Sequence, residues 1–181
     1  MPTQVPRMDT TASRALTAAR PVITGLTALN ILYGLFIAAL LLASVVRPGW
    51  PWAALGFDME LAHPALAVAL QAIAVLGLAG AALVHVVLRK LWAIVDTVRD
   101  GDPFIAGNAR RLTAIAWCVL AGQLLRLAIM LIAAAVSTQA QPVDMGDGFS
   151  FTPWLAVLLL FVLAGVFGQG ARMRADLEGT V

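Results

Sequence analysis

The sequence predicts an all-α integral membrane four-helix bundle with both termini on the cytoplasmic side, and three observations carry that expectation. Hydrophobic residues make up 61% of the 181 residues and charged residues 12%. That charged share is about half that of an ordinary soluble domain, so most of the surface is not built for water. Four apolar stretches are each long enough to cross the ~30 Å hydrocarbon core at the α-helical rise. The basic residues fall almost entirely on one side of those stretches. Once four spans are subtracted, the remaining length leaves no second domain. The expected division is a segment 1–21 followed by a single membrane domain over 22–181.

The first span is read at residues 22–46, which carry no charge. Arg7, Arg14 and Arg20 precede it, as in a secretory signal peptide, but the run exceeds the ~7–15 residue apolar core of such a peptide. The second span, 64–88, ends where Arg89 and Lys90 mark an interface. Beyond them the helix is expected to continue in water, because Leu88, Leu91, Trp92, Val95 and Val98 keep helical spacing on one face. Arg99, Gly101 and Pro103 then form a helix stop. The third span, 113–136, is entered through Asn108, Arg110 and Arg111 and holds one charge, Arg126. The fourth, 154–171, is near the lower length limit for a span and is expected to run past Arg172, with Pro153 in its first turn. The second and fourth helices therefore extend into the cytoplasm, through the loop 89–112 and the tail 172–181.

Orientation follows from loop charge. Three basic residues precede the first span, five lie between the second and third (Arg89, Lys90, Arg99, Arg110, Arg111) and two follow the fourth (Arg172, Arg174), against Arg47 alone on the other side. By the positive-inside rule the first group is cytoplasmic. Trp50, Trp52 and Trp154 then fall at the outer interface and Trp92 and Trp117 at the inner one, as amphipathic rings do.

Within the spans the costliest residue is Arg126, since a cation near mid-membrane costs ~2.5–3.5 kcal/mol even on the lenient insertion scale. Its candidate helpers are Gln123 one turn away, Gln71 in the second span, and the loop carboxylates Asp58, Glu60, Asp144 and Asp147. Gln71, Gln123 and Arg126 form a candidate intramembrane polar site for an anion or polar solute; the competing reading is an arginine that snorkels outward and pins helices together. Asn30, Gln71, Gln123 and His85 sit at different depths, so they read as separate interhelical hydrogen bonds and not as a proton relay. His63 and His85 stand 22 residues apart in the sequence, ~33 Å of helix, and cannot share a metal ion. Cys118 is the sole cysteine and has no disulfide partner within the chain. Gly34 with Ala38, Gly77 with Ala81, and Ala164 with Gly168 are small-xxx-small pairs suited to close helix packing. No nucleophile-and-base set, zinc helix or phosphate loop is present, so neither catalytic chemistry nor a cofactor is expected.

Gly101-Asp102-Pro103-Phe104, followed by Asn108, Arg111-Leu112, Ile115 and Trp117, together with the ending Asp176-Leu177-Glu178-Gly179-Thr180-Val181, resembles a bacterial family of predicted four-span membrane proteins, domain-of-unknown-function family 2975. In that family a G-x-P-F…N…R-L stretch lies between spans two and three, and a short acidic tail ending in Thr-Val follows span four. Where members often carry a second basic residue, this chain has Thr113. The family has no established activity. The resemblance implies a multi-pass protein of the bacterial inner membrane and, since members are often encoded beside a small helix-turn-helix regulator, it offers such a regulator as a partner.

Gly101, Asp102, Pro103, Phe104, Asn108, Arg110, Arg111, Asp176, Glu178, Thr180 and Val181 are accordingly the candidate cytoplasmic interaction surface, in which Arg110 and Arg111 could pair with the acidic tail. The expected function is a non-enzymatic membrane protein that presents this surface to a regulator. The alternative is a small transporter or channel subunit working through Arg126 and Gln123. Membrane lipid and further copies of the chain are the other partners this reading allows, and direct nucleic-acid binding is not expected, because no long Lys/Arg run exists.

Overall fold

In a computed structural model of the chain, the described residues are 10–58, 64–100, 105–139, 142–143 and 150–178. They form five helices and no strand: α1 (Thr10–Val46), α2 (Trp50–Ala54), α3 (Leu66–Arg99), α4 (Ala106–Val136) and α5 (Thr152–Glu178). All but α2 are long and apolar enough to cross a membrane. This is the architecture of a multi-pass membrane protein. The bundle is assembled in chain order, with α1 packed on α3, α3 on α4 and α4 on α5. Among the described residues no extensive contact joins α1 to α5, so the outer two helices each give one face to the protein. Their other faces stay bare: Leu29, Leu32 and Leu35 on α1 and Leu155, Leu158 and Leu159 on α5 are all more than half exposed. Such surface is stable only against lipid or another protein.

The second and fourth long helices outrun their spans as helical spacing and span length suggested, and in two places the helices outrun the reading. α3 continues past Arg89 and Lys90 to Arg99 with Asp100 as its cap, and α5 continues past Arg172 to Glu178. α1, however, is already helical from Thr10 and carries Pro21 inside it, so residues 10–21 extend the first helix. α4 starts at Ala106, ahead of the expected 113. Hydropathy marks where a chain enters lipid, whereas helix geometry continues into water as long as backbone bonds and one packed face support it.

α2 was not foreseen. Gly49 at φ 89° and Gly56 at φ 92° adopt left-handed geometry that L-residues rarely take, and they bracket a single turn opened by Pro51. The turn delivers Trp52, 3% exposed, into a cluster with Leu66, Ala69, Leu70, Ala74, Ala133, Val136 and Val143 that seals this end of α3 and α4. Trp50 remains exposed as an interface ring would, but Trp52 is a core residue.

Small residues let the seams close. A Cβ at Gly34 would lie 3.9 Å from the Ala81 Cβ across the α1–α3 seam, and one at Gly168 would lie 3.8 Å from the Ala109 Cβ across the α4–α5 seam. All three small-xxx-small pairs thus place a residue in a contact within the chain.

Candidate functional site

Polar and basic side chains of α1 and α4 meet on the last three turns of α3. From α1, the Arg20 guanidinium donates to Asp96 at 2.6 Å and lies 5.5 Å from the centroid of the Trp92 ring. From α4, the fully buried Asn108 donates its amide to the Thr97 hydroxyl at 2.8 Å, and that hydroxyl in turn donates to the Ile94 carbonyl at 2.8 Å. Arg111 donates to the Asn108 side-chain oxygen at 2.7 Å and to the Ala93 carbonyl at 3.3 Å. Each polar group buried here has a partner, which is the condition for burial at this depth. The exposed Arg20–Asp96 pair contributes little by itself, ~0–1 kcal/mol. The Asn108 network carries more, because a stranded buried amide costs ~1–3 kcal/mol.

This arrangement distributes the predicted surface residues unevenly. Asn108 does not cap α4, whose first residue is preceded by Ile105 with no side-chain cap bond; it faces the α3–α4 seam. Arg111 is half-buried beside it, its guanidinium spent on Asn108 and Ala93. Arg110 and Asp176 are exposed. Gly101, Asp102, Pro103, Phe104, Thr180 and Val181, and the side chain of Glu178, lie outside the described residues.

The intramembrane candidates separate into two places. Gln71 donates to Ser44 of α1 at 3.2 Å, and Ser44 donates to the Leu41 carbonyl at 2.8 Å, a local clasp between α1 and α3. Asn30 makes a second clasp, donating to the Ala81 carbonyl at 3.0 Å. Gln123 and Arg126 do come together. They line a groove of about 580 Å³ whose walls are α1, α3 and α4, with Asn30, Tyr33, Gly77, Gly80 and Gly122 along it. The same two side chains also border a small cavity of about 20 Å³ against Ser150, Pro153 and Trp154 at the start of α5. Arg126 therefore stands between the lipid-deep groove and the end of the bundle opposite the arginine-rich one. Glu60, Asp144 and Asp147, three of the carboxylates considered for it, lie outside the described residues.

The sequence reading missed Arg20, Ala93, Asp96, Thr97 and Ser44 as partners. One signal was available: Asp96 is the only carboxylate within α3, and a lone acid among interface arginines invites pairing. Nothing in the sequence places Arg20 against it across 76 residues.

No curated protein and no solved structure matches the chain. Residues 12–181, which take in all four long apolar helices but for the start of the first, match the family described as "Protein of unknown function (DUF2975)", and the chain belongs to that family.

Proposed function

We propose that the chain is a non-enzymatic protein of the bacterial inner membrane that offers its arginine-rich end, on the cytoplasmic side with both termini, to a soluble partner such as a small helix-turn-helix regulator. The observation that carries this reading is the hub on α3. Arg20, Asn108 and Arg111 converge there from two helices, so the ends of α1, α3 and α4 form a fixed platform on which Arg99 and Arg110 stay exposed. The loop charges support the orientation, and the family resemblance supports the partner class. The test is mild-detergent co-purification from native membranes of the intact chain and of an Arg99→Glu, Phe104→Ala variant, with bound proteins identified by mass spectrometry. Loss of a DNA-binding protein from the variant supports the reading; its equal recovery with both, or from neither, overturns it.

A second reading rests on the groove that Gln123 and Arg126 share. A guanidinium beside an apolar groove of about 580 Å³ suits a small anionic solute, and four helices in a row would enclose a path only as an oligomer. Arg126→Leu distinguishes the two: lost solute flux in vesicles with an unchanged melting temperature favours transport, and altered stability without a change in flux favours a structural arginine.

A further inference from the structure

We propose that the α4–α5 seam at the arginine-rich end is a binding site for one anionic phospholipid. A groove of about 460 Å³ runs along the seam, with Arg110 and Arg172 at one end and Phe161 at the other, over a floor that includes Thr113, Gly165 and Gly168. Arg172 and Phe161 are eleven residues apart on one helix, about 16 Å at the α-helical rise. One leaflet of the ~30 Å hydrocarbon core is about 15 Å deep. The groove is therefore charged where a phosphate headgroup lies and apolar for the depth of an acyl chain.

Both guanidinia are available to a ligand. Arg110 and Arg172 are exposed, and among the described residues neither meets a carboxylate; the Arg172 Nε–H donates only to the Gly168 carbonyl of its own helix, at 3.4 Å. Two neighbouring cations are differently placed: Arg20 is paired with Asp96 and Arg111 is bonded inward. Two arginines that flank a groove between membrane helices bind an acidic headgroup by charge and by forked donation to phosphate oxygens. The floor stays open because glycines form it. A Cβ built on Gly165 meets nothing within 4 Å, which leaves room for a chain to lie against the helix backbone. A soluble anion would use the arginines and leave the apolar length unfilled, whereas a phospholipid fills both.

Trp117 supplies a local reporter. It is 59% exposed and packs edge-on against Phe161, ring centroids 5.3 Å apart at 81°, at the deep end of the groove. The experiment uses the full chain with Trp117 as its sole tryptophan, the other four replaced by Phe, in vesicles of phosphatidylcholine mixed with phosphatidylglycerol, with bromine on the acyl chains of one lipid or the other. Fluorescence quenching then reads the preference for the anionic lipid. We expect a preference of about thirtyfold, since each of the two interfacial arginines attracts an anionic lipid by about 1 kcal/mol. The Arg110→Ala, Arg172→Ala pair should bring the preference close to one, Arg110→Lys, Arg172→Lys should keep most of it, and Arg89→Ala, Arg99→Ala should leave it unchanged. Gly165→Leu, whose Cβ enters open space, should weaken quenching by phosphatidylglycerol and keep the melting temperature. A parent preference near one, or an equal loss in the Arg89, Arg99 control, overturns the site. Because the readout is lipid preference at one tryptophan, its failure leaves the regulator-binding proposal standing, and the reverse also holds.

Discussion

Asn108 is the residue on which the arginine-rich end depends most. It has no solvent exposure, and its amide and carbonyl link Thr97 of α3 to Arg111 of α4. Asn108→Ala leaves the Arg111 guanidinium with the Ala93 carbonyl and Thr97 with the Ile94 carbonyl, so stability should fall by about 1–3 kcal/mol. Thr97→Val should cost less, because the Arg111–Asn108 bond survives. Thermal melting in mild detergent measures both, and an Asn108→Ala protein that melts with the parent would show that the seam does not depend on this bond. Trp52 is the corresponding residue at the other end. Its indole N–H is buried and has no hydrogen-bond partner among the described residues. Trp52→Phe removes that orphan donor along with some volume and should change stability little. Trp52→Ala opens the core cluster and should cost about 3–5 kcal/mol.

At the level of elements, α1 is held unevenly along its length. Over its membrane portion Asn30 and Gln71 bind it to α3, whereas among the described side chains at its start Arg20 meets Asp96 and the Trp92 face. Pro21 follows directly and removes the backbone donor that would have tied this region to the preceding turn. Arg20→Ala should therefore raise hydrogen exchange in residues 10–20 several-fold, with an effect on global melting of no more than about 1 kcal/mol. Mass-spectrometric exchange reads both, and protection that survives the substitution would mean that something else anchors these turns. The same element shows what was legible in the sequence. Hydropathy located all four spans, because each depends on a long uncharged run, and Arg99 followed by Gly101 marked the end of α3 to the residue. The early starts of α1 and α4 were not legible, since nothing in a polar stretch such as Asn108–Arg111 distinguishes helix from loop until its contacts are known. For the candidate site, Gln123 and Arg126 were readable as a pair from their spacing, whereas the separation of Gln71 from them depends on Ser44, a contact across two helices that spacing cannot supply.

At the scale of the whole molecule, the decisive property is that the helices stand in a row. In a closed bundle each helix would touch two neighbours, whereas here α1 leans on α3 and α5 on α4, and the groove beside Arg126 is left with walls of α1, α3 and α4. Engineered disulfides test this arrangement directly in a Cys118→Ala background. Bridged cysteines place their Cβ atoms about 3.5–4.5 Å apart. The Gly34–Ala81 and Ala109–Gly168 positions meet that distance at 3.9 and 3.8 Å. Gly34→Cys with Ala81→Cys, and Ala109→Cys with Gly168→Cys, should each close under mild oxidation within one chain. Leu32→Cys with Leu159→Cys joins exposed faces of the two outer helices and should close only between copies, giving a dimer on a non-reducing gel. A closed monomer from that third pair would mean that α1 and α5 meet and that the bundle is sealed, which would remove the open groove on which the transport reading depends. A dimer from it would instead show that a second copy covers the apolar faces the row leaves bare.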